Sequence, residues 1–111
     1  MDVKTLQIQD LIKEIDIQAG SIVSKTLYHD AAAKIVLFGF DAEQELSQHT
    51  ASVPAVMHFL EGEAEVTIGD DTVQAEPNSF YFMEASVPHS ITARQPTKML
   101  LTLFKPQTRQ G

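Results

Sequence analysis

The sequence contains no cysteine, and basic side chains are scarce, with eight Lys and Arg against fifteen Asp and Glu. Without cysteine the chain forms no disulfide bond and no thiolate metal site. The net charge of -7 repels the phosphate backbone of nucleic acids and anionic lipid headgroups, and the basic residues form no cluster that would offset this repulsion. We therefore expect neither nucleic acid nor a membrane among the partners of the chain.

Long apolar runs are also absent. No stretch approaches the roughly 20 apolar residues that a membrane-spanning helix needs. Residues 1–5 lack the basic and apolar stretches of a signal peptide, so we expect a cytoplasmic protein. The length of 111 residues lies within the ordinary range of one domain and suffices for one hydrophobic core, so we expect a single domain over residues 1–111.

The clearest local signal is a strict alternation of apolar and polar residues in the middle of the chain. Ala64, Val66 and Ile68 alternate with Glu63 and Glu65. A period of two residues is typical of a β-strand with one buried face. We expect the three apolar side chains to face a core and the two glutamates to face solvent.

The rest of the pattern predicts many short strands and little helix. Residues 41–48 are polar and are predicted to form a loop, and one short helix is predicted within residues 6–17, capped by Asp10. Many short strands separated by turn residues are typical of an all-β sandwich or small barrel. Further strands are predicted over residues 22–28, 34–40, 56–60, 72–75, 79–83, 89–94 and 98–104.

A histidine, a predicted strand and a tight turn precede the strand that carries this alternation. His49 is followed by Ala51 and then by Ala55, and Gly62 closes the turn. This arrangement resembles the first motif of the cupin superfamily, in which two histidines, a glutamate and a glycine occupy these positions. By this resemblance His49 matches the first histidine, Ala51 replaces the second, and Ala55 replaces the glutamate.

A later stretch resembles the second cupin motif. Asn78 replaces its first glycine, Glu84 its proline and Ser86 its second glycine, while His89 falls on its histidine. Asparagine adopts the left-handed turn conformation more readily than most residues other than glycine, so its replacement of glycine is tolerable. The resemblance covers roughly residues 20–104 and implies a double-stranded β-helix, the jelly-roll barrel of small cupins. It also implies that two of the four usual metal ligands are retained.

The resemblance implies that His49 and His89 meet inside the barrel. Two imidazoles are an incomplete ligand set, because catalytic zinc normally has three protein ligands and oxygen-activating iron adds a carboxylate. We therefore expect either no metal or a weakly bound divalent ion such as nickel, zinc, manganese or iron. Met57, Phe59 and Tyr81 are expected to line an apolar pocket with the histidines, although core packing is the usual role of such residues.

His58 alternates with Met57 and Phe59 along its strand, so its side chain is expected on the opposite face, towards solvent or a second subunit. Two further observations favour a homodimer. Residues 34–40 and 98–104 carry apolar side chains on both faces, which one small core does not cover completely. Cyclic dimers are also the commonest oligomers.

The sequence leaves three functions open. The first is binding of a small molecule in the barrel, with the two histidines as polar contacts and with weak or no metal. The alternative is a metal-dependent enzyme of the dioxygenase, isomerase or lyase type that uses His49 and His89. The third is a dimeric interaction module without a ligand. One barrel fold hosts many chemistries, so the fold alone does not decide among them.

Overall fold

The structure is a computed structural model that describes residues 5–106 of the chain. Its only helix within this range is the 3-10 helix Leu11–Glu14, which Asp10 caps by accepting a hydrogen bond from the Ile12 N–H at 3.2 Å. No helix within residues 5–106 is long and apolar enough to cross a membrane. The strands are β1 Ile22–His29, β2 Ala33–Phe40, β3 Glu45–His49, β4 Ala55–Glu61, β5 Ala64–Ile68, β6 Asp71–Ala75, β7 Phe80–Met83, β8 His89–Ala93 and β9 Thr97–Phe104.

The strands form two antiparallel sheets that face each other. One sheet has five strands in the order β1-β2-β9-β4-β7, and the other has four in the order β3-β8-β5-β6. The chain passes repeatedly from one sheet to the other, so strands that are distant in sequence become neighbours, as they do in a jelly roll. The all-β class and the double-stranded β-helix predicted from the sequence are confirmed.

The hydrophobic core lies between the two sheets. Phe40, Phe59 and Met99 from the five-stranded sheet form one cluster with Val66 and Ile91 from the four-stranded sheet. Each of these side chains is at most 1% exposed. Because successive residues of a strand point to opposite faces, each strand contributes alternate side chains to this cluster.

Strand β5 has the orientation that its alternation predicts. Ala64 and Val66 are 1% and 0% exposed, and Ile68 packs against the core. Glu63 is exposed, and the side chain of Glu65 is 39% exposed on the outer face. The alternation therefore identified both the strand and its buried face correctly.

One local prediction is confirmed and one requires correction. The short helix predicted within residues 6–17, with Asp10 as its cap, is present as the 3-10 helix Leu11–Glu14. The loop predicted over residues 41–48 contains most of β3, Glu45–His49. This strand lies at the edge of its sheet, and Leu46 packs against the core. The other residues of the strand are polar and exposed, so its composition resembles that of a loop.

Candidate functional site

The two histidines singled out by the sequence lie side by side at one end of the barrel. Strand β3 ends at His49, β8 begins at His89, and the two residues are partners in the register of the four-stranded sheet. The centroids of their rings are 4.2 Å apart, and the ring planes make an angle of 63°. The structure therefore brings into contact two side chains that are distant in sequence.

A β-bulge places His49, rather than Gln48, opposite His89. Between the pair Leu46 and Ile91 and the pair His49 and His89, β3 advances by one residue more than β8. An extra residue on one strand moves the side chains that follow it to the other face. Leu46 and Ile91 both pack in the core. The bulge therefore turns His49 back to the side on which His89 lies.

Two main-chain hydrogen bonds join the connecting segments at this end of the barrel. The Ser86 N–H donates to the Ala51 carbonyl at 2.7 Å and so joins the loop before β8 to the loop after β3. The Gly69 N–H donates to the Pro88 carbonyl at 2.8 Å and ties the same loop to the turn between β5 and β6. Ser86 has a φ of 69°, which is uncommon for a residue other than glycine. Such a conformation persists where surrounding contacts hold it, and the hydrogen bond from the Ser86 N–H to the Ala51 carbonyl is one such contact.

Main-chain carbonyl groups orient both imidazole rings. Nδ1 of His49 lies 2.8 Å from the Ser47 carbonyl oxygen, and Nδ1 of His89 lies 2.9 Å from the Val87 carbonyl oxygen. A carbonyl oxygen only accepts hydrogen bonds, so each Nδ1 carries a proton and donates it. In the neutral ring Nε2 then carries the free lone pair. The site therefore has two nitrogen lone pairs with which to bind.

His89 is sheltered, whereas His49 is open to solvent. His89 is 5% exposed and lies on the same strand face as the buried residues Ile91 and Ala93. Burial lowers the pKa of His89 below its usual value and His49 lowers it further, while the hydrogen bond to the Val87 carbonyl acts in the opposite direction. His89 is therefore neutral near pH 7, with its Nε2 lone pair available.

The sequence matches the cupin domain family over residues 34–104, which is more than half of the chain. The chain belongs to the cupin family. The comparison with curated proteins finds no match.

Solved structures share the fold of this cupin. A conserved protein of unknown function from Streptococcus pyogenes is 29% identical, with a TM-score of 0.84 over 96% of this chain and 93% of that chain. A cupin superfamily protein from Desulfitobacterium hafniense is 22% identical, with a TM-score of 0.84 over 96% of this chain and 100% of that chain. An RmlC-like cupin from Desulfovibrio desulfuricans is 26% identical, with a TM-score of 0.81 over 93% of this chain and 100% of that chain.

The side chains of this cupin do not fit a tightly held metal ion. Among residues 5–106, no group of three or more His, Asp or Glu side chains is placed to hold a metal. Ala55, at the position of the glutamate in the family motif, is 2% exposed in the core and offers no donor atom. His58 lies on the outer face of the other sheet, with its ring 6.0 Å from that of Phe80. Among residues 5–106, the donor set is therefore the two imidazoles.

The other residues predicted to line a pocket lie deeper in the barrel. Met57 and Phe59 are each 1% exposed and belong to the core cluster. Tyr81 is half-buried, with its ring centroid 6.1 Å from that of Phe59. Residues 5–106 leave no open pocket between the sheets, because flexible Met side chains and aromatic rings fill this space. A ligand that reached these three side chains would have to displace them.

The sequence identifies both histidines but not the groups that orient them. Ser47 and Val87 act through their carbonyl groups, which every residue type carries, so no side-chain signal marks them. Each carbonyl lies two residues before its histidine. Because every histidine has a carbonyl group two residues before it, this spacing carries no signal in the sequence.

Proposed function

We propose that this cupin binds a small molecule at the histidine pair, with weak or no metal. The observation that carries the proposal is the use of both Nδ1 atoms by main-chain carbonyls, at 2.8 and 2.9 Å. The remaining ring nitrogens, both Nε2, accept hydrogen bonds from N–H or O–H groups. The ligand class is therefore a small organic molecule with such donors, for example an alcohol, an amide or an amine.

The environment of the pair supports this binding role. Because His89 is only 5% exposed, a hydrogen bond to its Nε2 is less weakened by competing water than one at the open surface. The carbonyl contacts fix both rings before a ligand arrives, so binding loses little side-chain entropy. A preoriented pair of acceptors favours ligands whose donors match its geometry.

A metal-dependent enzyme of the dioxygenase, isomerase or lyase type is the second candidate. The contact between the His49 and His89 rings, 4.2 Å between centroids, is the observation in its favour. Two imidazoles alone bind a divalent ion weakly, because zinc and iron sites of enzymes normally use three or more protein ligands. We therefore rank this function below the binding of an organic ligand.

We also propose that the protein acts in the cytoplasm, with partners other than nucleic acids. A chain without cysteine does not depend on an oxidising compartment for its folding. The net charge of -7 opposes contact with a phosphate backbone.

Nuclear magnetic resonance of the ring nitrogens tests the binding proposal. We expect individual small alcohols, amides and amines to shift the Nε2 signals of His49 and His89 in isotope-labelled protein. His49→Ala removes an exposed ring and leaves the core intact, and we expect it to reduce the shift at His89. His29→Ala, which removes an exposed histidine at the end of β1, is the matched control and should leave that shift unchanged. Absence of any shift with these probes would contradict the proposal.

Elemental analysis and thermal unfolding test the role of metal. A metal bound only to the native state raises the melting temperature by an amount that grows with its affinity. With two imidazoles as ligands, we expect little change in Tm with excess chelator, or with modest added zinc, nickel, manganese or ferrous iron. A stoichiometric metal in the purified protein, with a chelator-induced drop of several degrees that His49→Ala abolishes, would overturn weak binding and favour the enzyme.

A further inference from the structure

A lysine lies on the inner face of the five-stranded sheet, near the start of β2. Lys34 is the register partner of Leu103, which packs against the core. Register partners project from the same face of a sheet. Phe38 and Phe40, which alternate along β2 in phase with Lys34, also pack in the core. The Lys34 side chain therefore belongs to a face on which the other members are apolar.

Two short connections place this lysine at the end of the barrel that holds the histidine pair. At the opposite end, residues 41–44 join β2 to β3, and residues 94–96 join β8 to β9. The joined strands lie in different sheets, so β2 and β9 face β3 and β8 across the core. Lys34, near the start of β2, and His49, at the end of β3, therefore lie at the same end on facing strands. Stacked sheets are roughly 10 Å apart, a distance that a lysine side chain and a small molecule span together.

No carboxylate offsets the charge of Lys34 within residues 5–106. Lys13, Lys25 and Arg94 each form ion pairs with carboxylates, at distances between 3.1 and 3.9 Å. In the same part of the chain, no ion pair involves Lys34, which is half-buried. The net charge of -7 makes carboxylates plentiful, yet the fold directs none of the described ones to this ammonium group. The Lys34 ammonium is therefore open to an anion from outside the chain.

Neighbouring groups add to the positive charge beside Lys34. His29, its register partner on β1, accepts a hydrogen bond at Nε2 from Lys105 Nζ. The nearest carboxylate in the sequence, Asp30, is engaged in the turn between β1 and β2. It accepts from the Tyr28 hydroxyl at 2.6 Å and from two main-chain N–H groups of the turn at 2.8 and 3.0 Å. This edge of the barrel end therefore presents ammonium groups, while its carboxylate serves the turn.

The other carboxylates of this end lie on its far side. Asp70 and Asp71 are in the turn between β5 and β6, and Glu84 follows β7. In the two sheets, β6 is three strands from β3 and β7 is three strands from β2. At about 4.8 Å between neighbouring strands, these carboxylates are displaced by roughly 14 Å. The half of the barrel end formed by β2, β3, β8 and β9 is therefore the basic half.

We propose that a small hydroxy acid binds in this basic half, with its carboxylate at Lys34 and its hydroxyl at the histidine pair. The inference rests on the proposed function, in which the Nε2 atoms of His49 and His89 accept hydrogen bonds. A carboxylate has no proton to donate to them, so the hydroxyl takes that place. The ammonium group of Lys34 has only protons to donate, and a charge-assisted bond to a carboxylate is stronger than one between neutral groups.

The filled core limits the size of this acid. Met57 and Phe59 occupy the space between the sheets, so the ligand lies across the end of the barrel instead of entering it. A molecule of a few carbon atoms, with one hydroxyl near one carboxylate, suits this position. Such a small ligand makes few contacts, so we expect binding in the millimolar range.

Three probes of matched size separate the roles of the two groups. Lactate carries a hydroxyl and a carboxylate, lactamide replaces the carboxylate by an uncharged amide, and propionate lacks the hydroxyl. Titrations are followed through the ring-nitrogen resonances of His49 and His89 at about pH 8, well above the ordinary histidine pKa of about 6.5. We expect lactate to bind at least about 5-fold more tightly than lactamide or propionate, because only lactate satisfies both groups.

Two variants with the same change of net charge locate the carboxylate contact. Lys34→Gln removes the inner-face ammonium, whereas Lys13→Gln removes one that is 83% exposed on the N-terminal segment. Lys34→Gln should weaken lactate binding to the level of lactamide and leave lactamide binding unchanged. Lys13→Gln should leave both affinities as they are in the wild type. Circular dichroism and thermal unfolding confirm that each variant folds.

The outcomes distinguish this inference from the proposed function on which it rests. Equal affinities for lactate and lactamide in the wild-type protein would overturn the hydroxy acid and leave the binding of hydrogen-bond donors standing. Propionate that binds as tightly as lactate would also overturn it, as would an equal loss of lactate binding in the two variants. Absence of any ring-nitrogen shift with lactate and lactamide would contradict both the inference and the proposed function.

Discussion

Burial of His89 makes the stability of the fold depend on pH. The pKa of His89 is lowered in the folded protein, above all by burial, whereas in the unfolded chain it takes its ordinary value of about 6.5. As the pH falls through about 6.5, the unfolded chain gains a proton that the folded protein does not, so the free energy of unfolding decreases. We expect urea unfolding to give lower stability at about pH 5.5 than at about pH 7.5, and a smaller difference in His89→Gln. Equal differences in the two proteins would contradict this assignment.

Backbone conformation explains which departures from the cupin motifs are tolerated. The sequence predicts a left-handed turn conformation at Asn78, and its φ of 77° confirms this. Ser86, at the other replaced glycine, also has a positive φ of 69°. Gly62 is retained, with a φ of 92°, and a Cβ there would lie 2.7 Å from Thr97 Cα and closer still to the Pro96 carbonyl oxygen. Close backbone approach therefore adds to conformation in requiring glycine at this turn.

Among the elements, the N-terminal segment depends most on contacts that its sequence does not reveal. Its sequence predicts one short helix capped by Asp10, which is observed at Leu11–Glu14. The sequence does not predict that the segment lies on the five-stranded sheet, held by Lys25 and Lys98, where it buries Ile15. Local spacing reports helical tendency, whereas this course is set by contacts with strands much later in the chain.

Two isoleucines of this segment provide a matched test of its role. Ile15 is 8% exposed, and Ile12 is 36% exposed. We expect Ile15→Ala to lower the free energy of unfolding by about 2 kcal/mol or more, because it removes buried methyl groups and leaves a cavity. Ile12→Ala, which loses far less buried surface, should cost about 1 kcal/mol or less. Urea unfolding of both variants measures the difference, and an equal loss would show that the segment does not pack as described.

Strand β3 shows why the site was only partly predictable. Both histidines are visible in the sequence, and the cupin spacing indicates that they meet. The bulge that places His49 rather than Gln48 beside His89 arises from pairing with β8 and has no local signature. The polar composition of residues 41–48 conceals the strand itself, since an edge strand with one buried side chain has little apolar pattern.

At the scale of the whole molecule, the sequence predicts the features that neighbouring residues determine, but not those that depend on pairing between distant strands. Alternation, turn residues and the two motifs predict an all-β barrel, because each of these signals is carried by a few neighbouring residues. The pairing of β2 with β9 joins distant parts of the chain, and the order β1-β2-β9-β4-β7 follows from such pairings. The apolar character of residues 34–40 on both faces suggests incomplete burial, yet the outer side of Leu37 is covered by the chain's own N-terminal segment.

The main-chain carbonyl groups of Ser47 and Val87 position the two rings of the histidine pair. Replacing either residue exchanges its side chain but leaves the carbonyl group that accepts from Nδ1. Point mutations at these two positions therefore change the surroundings of the pair while its tautomers stay fixed. In the proposed binding role, substitution at these two positions therefore alters the selectivity of the pair for a ligand while both rings keep their orientation.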